Sequence, residues 1–200
     1  MTLRLHRTGI ILCAVALAVA LTGCGNNHPH FAGGQASGVD AADANNNGAY
    51  VQADNVTYQL QISRELNQYS TEDSQYVKGL PPGYSVTLGP TELWYGVFLW
   101  AKNQTNVPRT TSDNFEVVDT EGDVYRPLKL DTTVNPFAWT AQTLQPNTTE
   151  PGPNTVAQAG PTQGGLLLFK MSDSIYANRP LILFILNAAN QKLASISLNL

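Results

Sequence analysis

The sequence predicts an all-β fold, an antiparallel β-sandwich of about seven strands carried behind a signal segment and a tether. Three observations predict it. Apolar and polar residues alternate with the period of two of a half-buried strand in several runs. Clusters of Gly, Pro, Asn and Asp separate those runs at short intervals, the spacing of turns between strands. Beyond residue 50, only one short stretch carries a helix-start signal.

The elements follow in chain order. Arg4 and Arg7 precede an apolar run from Ile10 to Leu21, and Leu21-Thr22-Gly23-Cys24 closes it. The run is about a dozen residues, whereas a membrane-crossing helix needs about 20. A charged start, a short apolar stretch and small residues before a cut site mark a secretory signal. Residues 1–23 resemble the bacterial lipoprotein signal, whose Leu-x-Gly-Cys box directs diacylglycerol onto the cysteine and cleavage just before it. That resemblance implies lipidation at Cys24, with palmitate-type chains holding the protein on the outer face of a bacterial membrane. Two or more chains anchor stably where one binds marginally, at about 0.8 kcal/mol per buried CH₂. An uncleaved anchor helix, or a cut without lipidation, is the bland alternative.

Residues 24–49 are rich in Gly, Ala and Asn, nearly uncharged and aperiodic, and read as a flexible tether. About 25 such residues reach roughly 25–30 Å, enough to stand a small domain clear of a bilayer. His28-Pro29-His30 could hold a stray metal ion, but two histidines in a flexible segment make a poor site.

Residues 50–200 form the expected sandwich domain. Val56, Tyr58, Leu60 and Ile62 alternate with Thr57, Gln59, Gln61 and Ser63, a half-buried strand. Ser70-Thr71-Glu72-Asp73 reads as a one- or two-turn helix capped by Ser70 and stopped at Gly79, followed by the rigid Leu80-Pro81-Pro82-Gly83 corner. The run from Leu93 to Ala101 is apolar on both faces, as in a central strand covered on each side. The runs at 115–118 and 124–128 flank Asp119-Thr120-Glu121-Gly122-Asp123, a hairpin signal. Residues 131–163 are loop-rich, with five prolines. Strands are then expected from Gly165 to Met171, Leu181 to Leu186 and Leu193 to Leu200, the last two joined by an Asn187–Asn190 turn.

Composition excludes whole classes of function. The net charge of -4 becomes about -6 once Arg4 and Arg7 leave with the signal, since no acid leaves. Nine Lys/Arg over the mature chain argue against nucleic-acid binding. Cys13 leaves with the signal and Cys24 is taken by lipid, so the domain holds no disulfide and depends on packing. The three histidines are His6, His28 and His30, all before the domain. Ser-His and Cys-His nucleophile pairs, and zinc or copper sites built on His and Cys, are therefore excluded from it. No Gly-rich phosphate loop leads from a strand into a helix, and no cofactor is expected.

Three stretches carry a family resemblance: Phe98-Leu-Trp-Ala-Lys-Asn-Gln-Thr-Asn-Val-Pro108; then Phe115, Asp119-Thr-Glu-Gly122 and Tyr125-Arg-Pro127; then Leu144-Gln-Pro-Asn147 with Gly165-Leu-Leu-Leu-Phe169. Residues 50–200 thereby resemble the immunoglobulin-like domain of unknown function found in secreted bacterial lipoproteins, a fold similar to the mycobacterial immunoprotective antigen. The resemblance implies an immunoglobulin-like sandwich and brings no catalytic residues. The stretch from Tyr69 to Tyr84 reads as an insertion.

Three constellations could carry function. Glu116, Asp119, Glu121 and Asp123, with Asp131 beyond, cluster on the hairpin; calcium ligation or paired-carboxylate chemistry competes with a solvated turn, and the spacing is not that of an EF-hand. Asn55, Asn103 and Asn147 fit the glycosylation sequon, and beside a bacterial signal they read as chance, Asn103 being a turn residue. Aromatics gather in two loops: Tyr69, Tyr76 and Tyr84 in one, Phe137 and Trp139 in the other. Exposed, Tyr76, Phe137 and Trp139 would suit a partner; folded back, they would seal the sandwich. The expectation is a membrane-tethered, non-enzymatic binding or envelope-interaction module, held through lipid on Cys24, with an envelope protein or polysaccharide as partner and no nucleic acid. A carboxylate-dependent hydrolase of envelope polysaccharide is the alternative.

Overall fold

A computed structural model describes residues 41–43 and 50–198. The expectations for the signal, for Cys24, for His28 and His30, and for Leu200 lie outside the described residues.

Alternation turns into two facing sheets. Strand β1 is Ala41–Asp43, β2 Tyr50–Ala53, β3 Val56–Leu66, β4 Glu92–Lys102, β5 Arg109–Thr110, β6 Asn114–Val118 and β7 Val124–Tyr125. After these come β8 Thr143–Leu144, β9 Thr149–Glu150, the one-turn helix α1 Val156–Ala159, β10 Gly165–Ser172, β11 Leu181–Leu186 and β12 Lys192–Leu198. One sheet runs β1-β12-β11-β6-β7, the other β10-β4-β3-β2 with β9 on β4, and β5-β8 form a small ribbon. Among the described residues, seven strands have four residues or more, as the sequence predicts; the others are two- and three-residue edge pieces. Pairing is antiparallel except where β1 lies parallel on β12, Ala41 opposite Ser195. The expected tether therefore contributes a strand, and the sandwich begins before Tyr50.

The main core lies between the sheets. Tyr95, Val97, Leu99, Leu167 and Phe169 meet Phe115, Val117, Leu183, Ile185 and Ile196 there. At about 1.5–3 kcal/mol per fully buried large apolar side chain, burial on this scale replaces the missing disulfide. Strand β4 sits between β3 and β10 and is buried on both faces, as expected. Its alternate residues Trp94 and Phe98 point away from the main core into a second one, with Leu66, Tyr76, Val77, Phe137, Ala157, Leu166 and Leu168. Loops rather than a sheet cover this outer face.

The β3 alternation breaks where a bulge shifts the register between Leu60 and Ile62, with Gln61 as the extra residue. An extra residue reverses which face the following side chains take. Val56, Tyr58 and Leu60 stay in the main core, whereas Ile62 is exposed and Leu66 enters the second core. This corrects the expectation that Ile62 shares the inward face.

The helix expected after Ser70 shrinks to a 3₁₀ turn at Asp73–Gln75, with Ser70 Oγ accepting from the Glu72 and Asp73 amides. Asp73 turns its carboxylate away from this turn. Arg64 grips it with two nitrogens, at 3.0 and 2.6 Å, and the Asn67 amide donates to it. Burial alone would raise this carboxyl, but the guanidinium and the amide together hold it below the usual range.

Candidate functional site

The loop-borne aromatics are positioned by what β4 leaves uncovered. Tyr76 is 0% exposed and stands edge-on to Phe98 and to Phe137, at centroid distances of 5.0 and 4.8 Å. Phe137 is 3% exposed in the same cluster. Asn135, fully buried, ties the two loops together: its amide nitrogen donates to the Tyr76 and Lys78 carbonyls, and its oxygen accepts from the Phe137 amide. The Asp131 amide adds a bond to the Gly79 carbonyl at 2.8 Å. Gly79 has φ +69°, and a Cβ there would stand 2.9 Å from the Asp131 carbonyl oxygen. Tyr76 and Phe137 are therefore core residues, which corrects the expectation of a partner-facing pair; large apolar residues on β4 need a cover, and these loops supply it. Tyr69, at 79% exposure, and Tyr84 remain on the surface.

Trp139 is placed differently. It is half-buried, packs edge-on to Phe115 at 5.7 Å and near Tyr58 at 6.2 Å, and donates its indole N–H to the Ser112 carbonyl at 2.8 Å. Its own amide donates to Leu166 on the free edge of β10, where the Leu128 amide also bonds Leu168. Between these attachments, where the β10 edge faces the β6–β7 edge of the other sheet, lies a cleft of about 350 Å³. Trp139, Leu128, Leu130 and Leu166 give it an apolar lining, and Asp113, Arg126, Lys129, Thr132 and Thr140 a polar rim. The charged rim is accessible: the side chains of Lys129, Arg126 and Asp113 are 90, 68 and 65% exposed. Lys129 and Asp113 pair loosely at 3.9 Å, an arrangement worth little to stability and easily exchanged for contacts with a ligand. A second hollow, of about 590 Å³, lies between Tyr69, Pro90 and Trp94. Its carboxylates are engaged, Asp73 by Arg64, Glu92 by Lys170 and Glu65 by the Tyr176 hydroxyl.

The acidic hairpin forms as expected, β6 pairing β7, but its acids are divided among separate tasks. Asp119 is buried and organises the turn, its Oδ1 accepting from the Glu121 and Asp123 amides. Glu116, also buried, lies between Arg126 and Lys192, each at 3.3 Å. Asp131 accepts from Thr133 in another loop, and those bonds hold its carboxyl below the usual range. No group of three or more potential metal ligands occurs among the described residues. Asn103 is a turn organiser rather than a surface acceptor: it is fully buried, donates to the Val107 and Leu144 carbonyls, and accepts from Thr105.

Sequence reasoning misses Glu150. It is 4% exposed on β9, accepts the Thr111 hydroxyl at 2.8 Å, and is pushed up to about 7 by burial against the pull of its Thr111, Thr140 and Gln142 donors. Its immediate surroundings in the sequence, Asn-Thr-Thr-Glu-Pro-Gly, read as loop, and no local pattern signals a buried acid.

No family model matches the chain, and no curated protein matches it. Several solved structures are similar to it. The chain is similar to the yjhA protein of Bacillus subtilis, 10% identical over 80% of this chain and 100% of that one, with a TM-score of 0.50. An uncharacterised β-sandwich protein of Clostridium difficile 630 aligns at 12% identity over 83% of this chain and 99% of that one, with a TM-score of 0.43. A Bacillus subtilis protein described as a putative lipoprotein (ycdA) aligns at 12% identity over 76% of this chain, which spans 38% of that protein; the TM-score is 0.44. No helix among the described residues is long and apolar enough to cross a membrane.

Proposed function

We propose that this protein is an extracytoplasmic lipoprotein, tethered through lipid on Cys24, whose immunoglobulin-like sandwich binds an envelope partner in the cleft beside Trp139 and catalyses no reaction. The observation that carries the reading is the cleft itself: an apolar lining with an accessible mixed-charge rim, at a sheet edge left partly uncovered. Such a combination buries part of a ligand while a few polar groups orient it. The hydrolase alternative needs two carboxylates opposed across the site, at about 5–10 Å. Asp113 is the one carboxylate among the described residues lining this cleft. Tyr76 and Phe137 serve the reading indirectly, by holding the 135–139 segment in place. The similarity to the immunoglobulin-like lipoprotein domain, and through it to the mycobacterial antigen fold, belongs to this proposal.

A photo-cross-linking residue at Thr140, compared with one at exposed Val156 on α1, tests the reading in native membranes. The expected result is a discrete adduct from position 140 and none from 156. Equal labelling from both positions, or none, would withdraw the cleft as the binding site.

A further inference from the structure

We propose that Glu150 is a proton-operated latch on one wall of the cleft: protonated, it stays sealed between residues 138–142 and β5, and losing the proton draws it toward water, loosens that wall and alters what the cleft binds. Its effect on binding rests on the cleft being the binding site.

The geometry converges on this one carboxyl. Glu150 sits opposite Ala101 in the β9–β4 pair, sealed from water. Thr111, one residue past β5, gives it a hydroxyl at 2.8 Å; Thr140 gives a backbone N–H, and Gln142 a side-chain N–H. Thr140 and Gln142 belong to the segment that forms the Trp139 wall. Thr111 and Gln142 also bind each other through the Thr111 amide to the Gln142 carbonyl and the Gln142 amide to Thr111 Oγ, both at 3.0 Å. The next residue, Ser112, accepts the Trp139 indole N–H and donates its amide to the Tyr58 hydroxyl at 2.7 Å. The wall is thus fastened to β5 through a cluster with Glu150 at its centre.

All three groups around the carboxyl donate to it and taken alone favour its ionised form. Hydrogen bonds to a charged acceptor are about twice as strong as neutral ones. The Thr111 hydroxyl and the Gln142 side-chain carbonyl can also accept, so a protonated carboxyl keeps partners within the closed wall. Burial outweighs these donors and raises the carboxyl to about 7, so the closed wall favours the protonated form, ionisation favours release to water, and both forms are populated near neutral pH. The other titratable or charged groups on the neighbouring elements are Tyr58, Arg64 and Glu65 on β3, Glu92, Tyr95 and Lys102 on β4, Arg109 on β5, Asp113 just beyond it and Asp54 in the β2–β3 turn. Burial pushes the Tyr58 hydroxyl far above neutrality. Residues 31–200 contain no histidine, the side chain that ordinarily titrates between pH 5 and 8.

The test is a pH titration of tryptophan fluorescence on the full chain. The wild type should show one transition centred near pH 7, which Glu150→Gln abolishes and Trp139→Phe strips of most of its amplitude. Thr111→Val removes a donor that favours the carboxylate and should move the midpoint upward by about one unit. A flat wild-type profile between pH 5.5 and 8.5, or a transition that survives Glu150→Gln, would overturn the latch. If Glu150→Gln fails to fold, an unmoved midpoint in Thr111→Val overturns it instead. No partner is needed for this readout. The expected transition in a protein whose position 140 captures nothing would uphold the latch and withdraw only the binding reading.

Discussion

Replacing Tyr76 separates a core role from a surface role. Its ring is 0% exposed between Phe98 and Phe137, and the two T-shaped contacts add to the burial itself. Removing a buried aromatic typically costs about 3–5 kcal/mol. For a domain of this size each kcal/mol moves the midpoint by about 2–4 °C, so Tyr76→Ala should melt about 6–20 °C below the wild type. The hydroxyl has the opposite sign. Among the described residues the Tyr76 oxygen is buried without a hydrogen-bond partner, and an unsatisfied buried polar group costs about 1–3 kcal/mol. Tyr76→Phe should therefore melt at or above the wild-type temperature. Tyr69→Ala, on the same insertion but largely exposed, should change little. Calorimetry on the three variants decides the matter. A near-neutral Tyr76→Ala would refute the second core, and a strongly destabilised Tyr76→Phe would refute the orphaned hydroxyl.

Three further outcomes are expected. Asn135→Ala loses three buried hydrogen bonds at once and should cost about 3 kcal/mol, read by chemical denaturation. Glu150 binds its proton more tightly in the folded state than in the unfolded one, so its contribution is complete below about pH 4.5 and lost as the pH rises through about 7. At about 1.4 kcal/mol per unit, unfolding free energy should fall by up to about 3 kcal/mol across that window, and Glu150→Gln should flatten the slope. Cys24→Ser should move the protein from the membrane fraction to the soluble one; retention after a carbonate wash would contradict a lipid anchor.

The layers of this fold are legible in the sequence because period-two patterning is a local signal. The doubly apolar β4 run even implies a cover on each face. What covers the outer face is not legible: residues 69–84 and 131–163 are turn-rich, and only the closed fold turns Tyr76 and Phe137 inward. The bulge at Gln61 escapes for a related reason, since Val56 through Ile62 alternate without a break in the sequence and the extra residue appears only on pairing with β4. Of the candidate site, Trp139 is legible as a loop aromatic. Arg126, Lys129 and Asp113 join it only when the β10 and β7 edges face each other. Glu150 acquires its character from burial against Thr111, 39 residues away.

Filling the cleft shows whether it is the binding site. Ala141 lines it and belongs to neither hydrophobic core cluster, and Ala141→Trp would occupy much of its volume. In a chain carrying the photo-cross-linker at position 140, the account predicts that Ala141→Trp leaves the melting temperature within a few degrees of the parent and abolishes the adduct. An undiminished adduct at unchanged stability would show that the partner binds elsewhere.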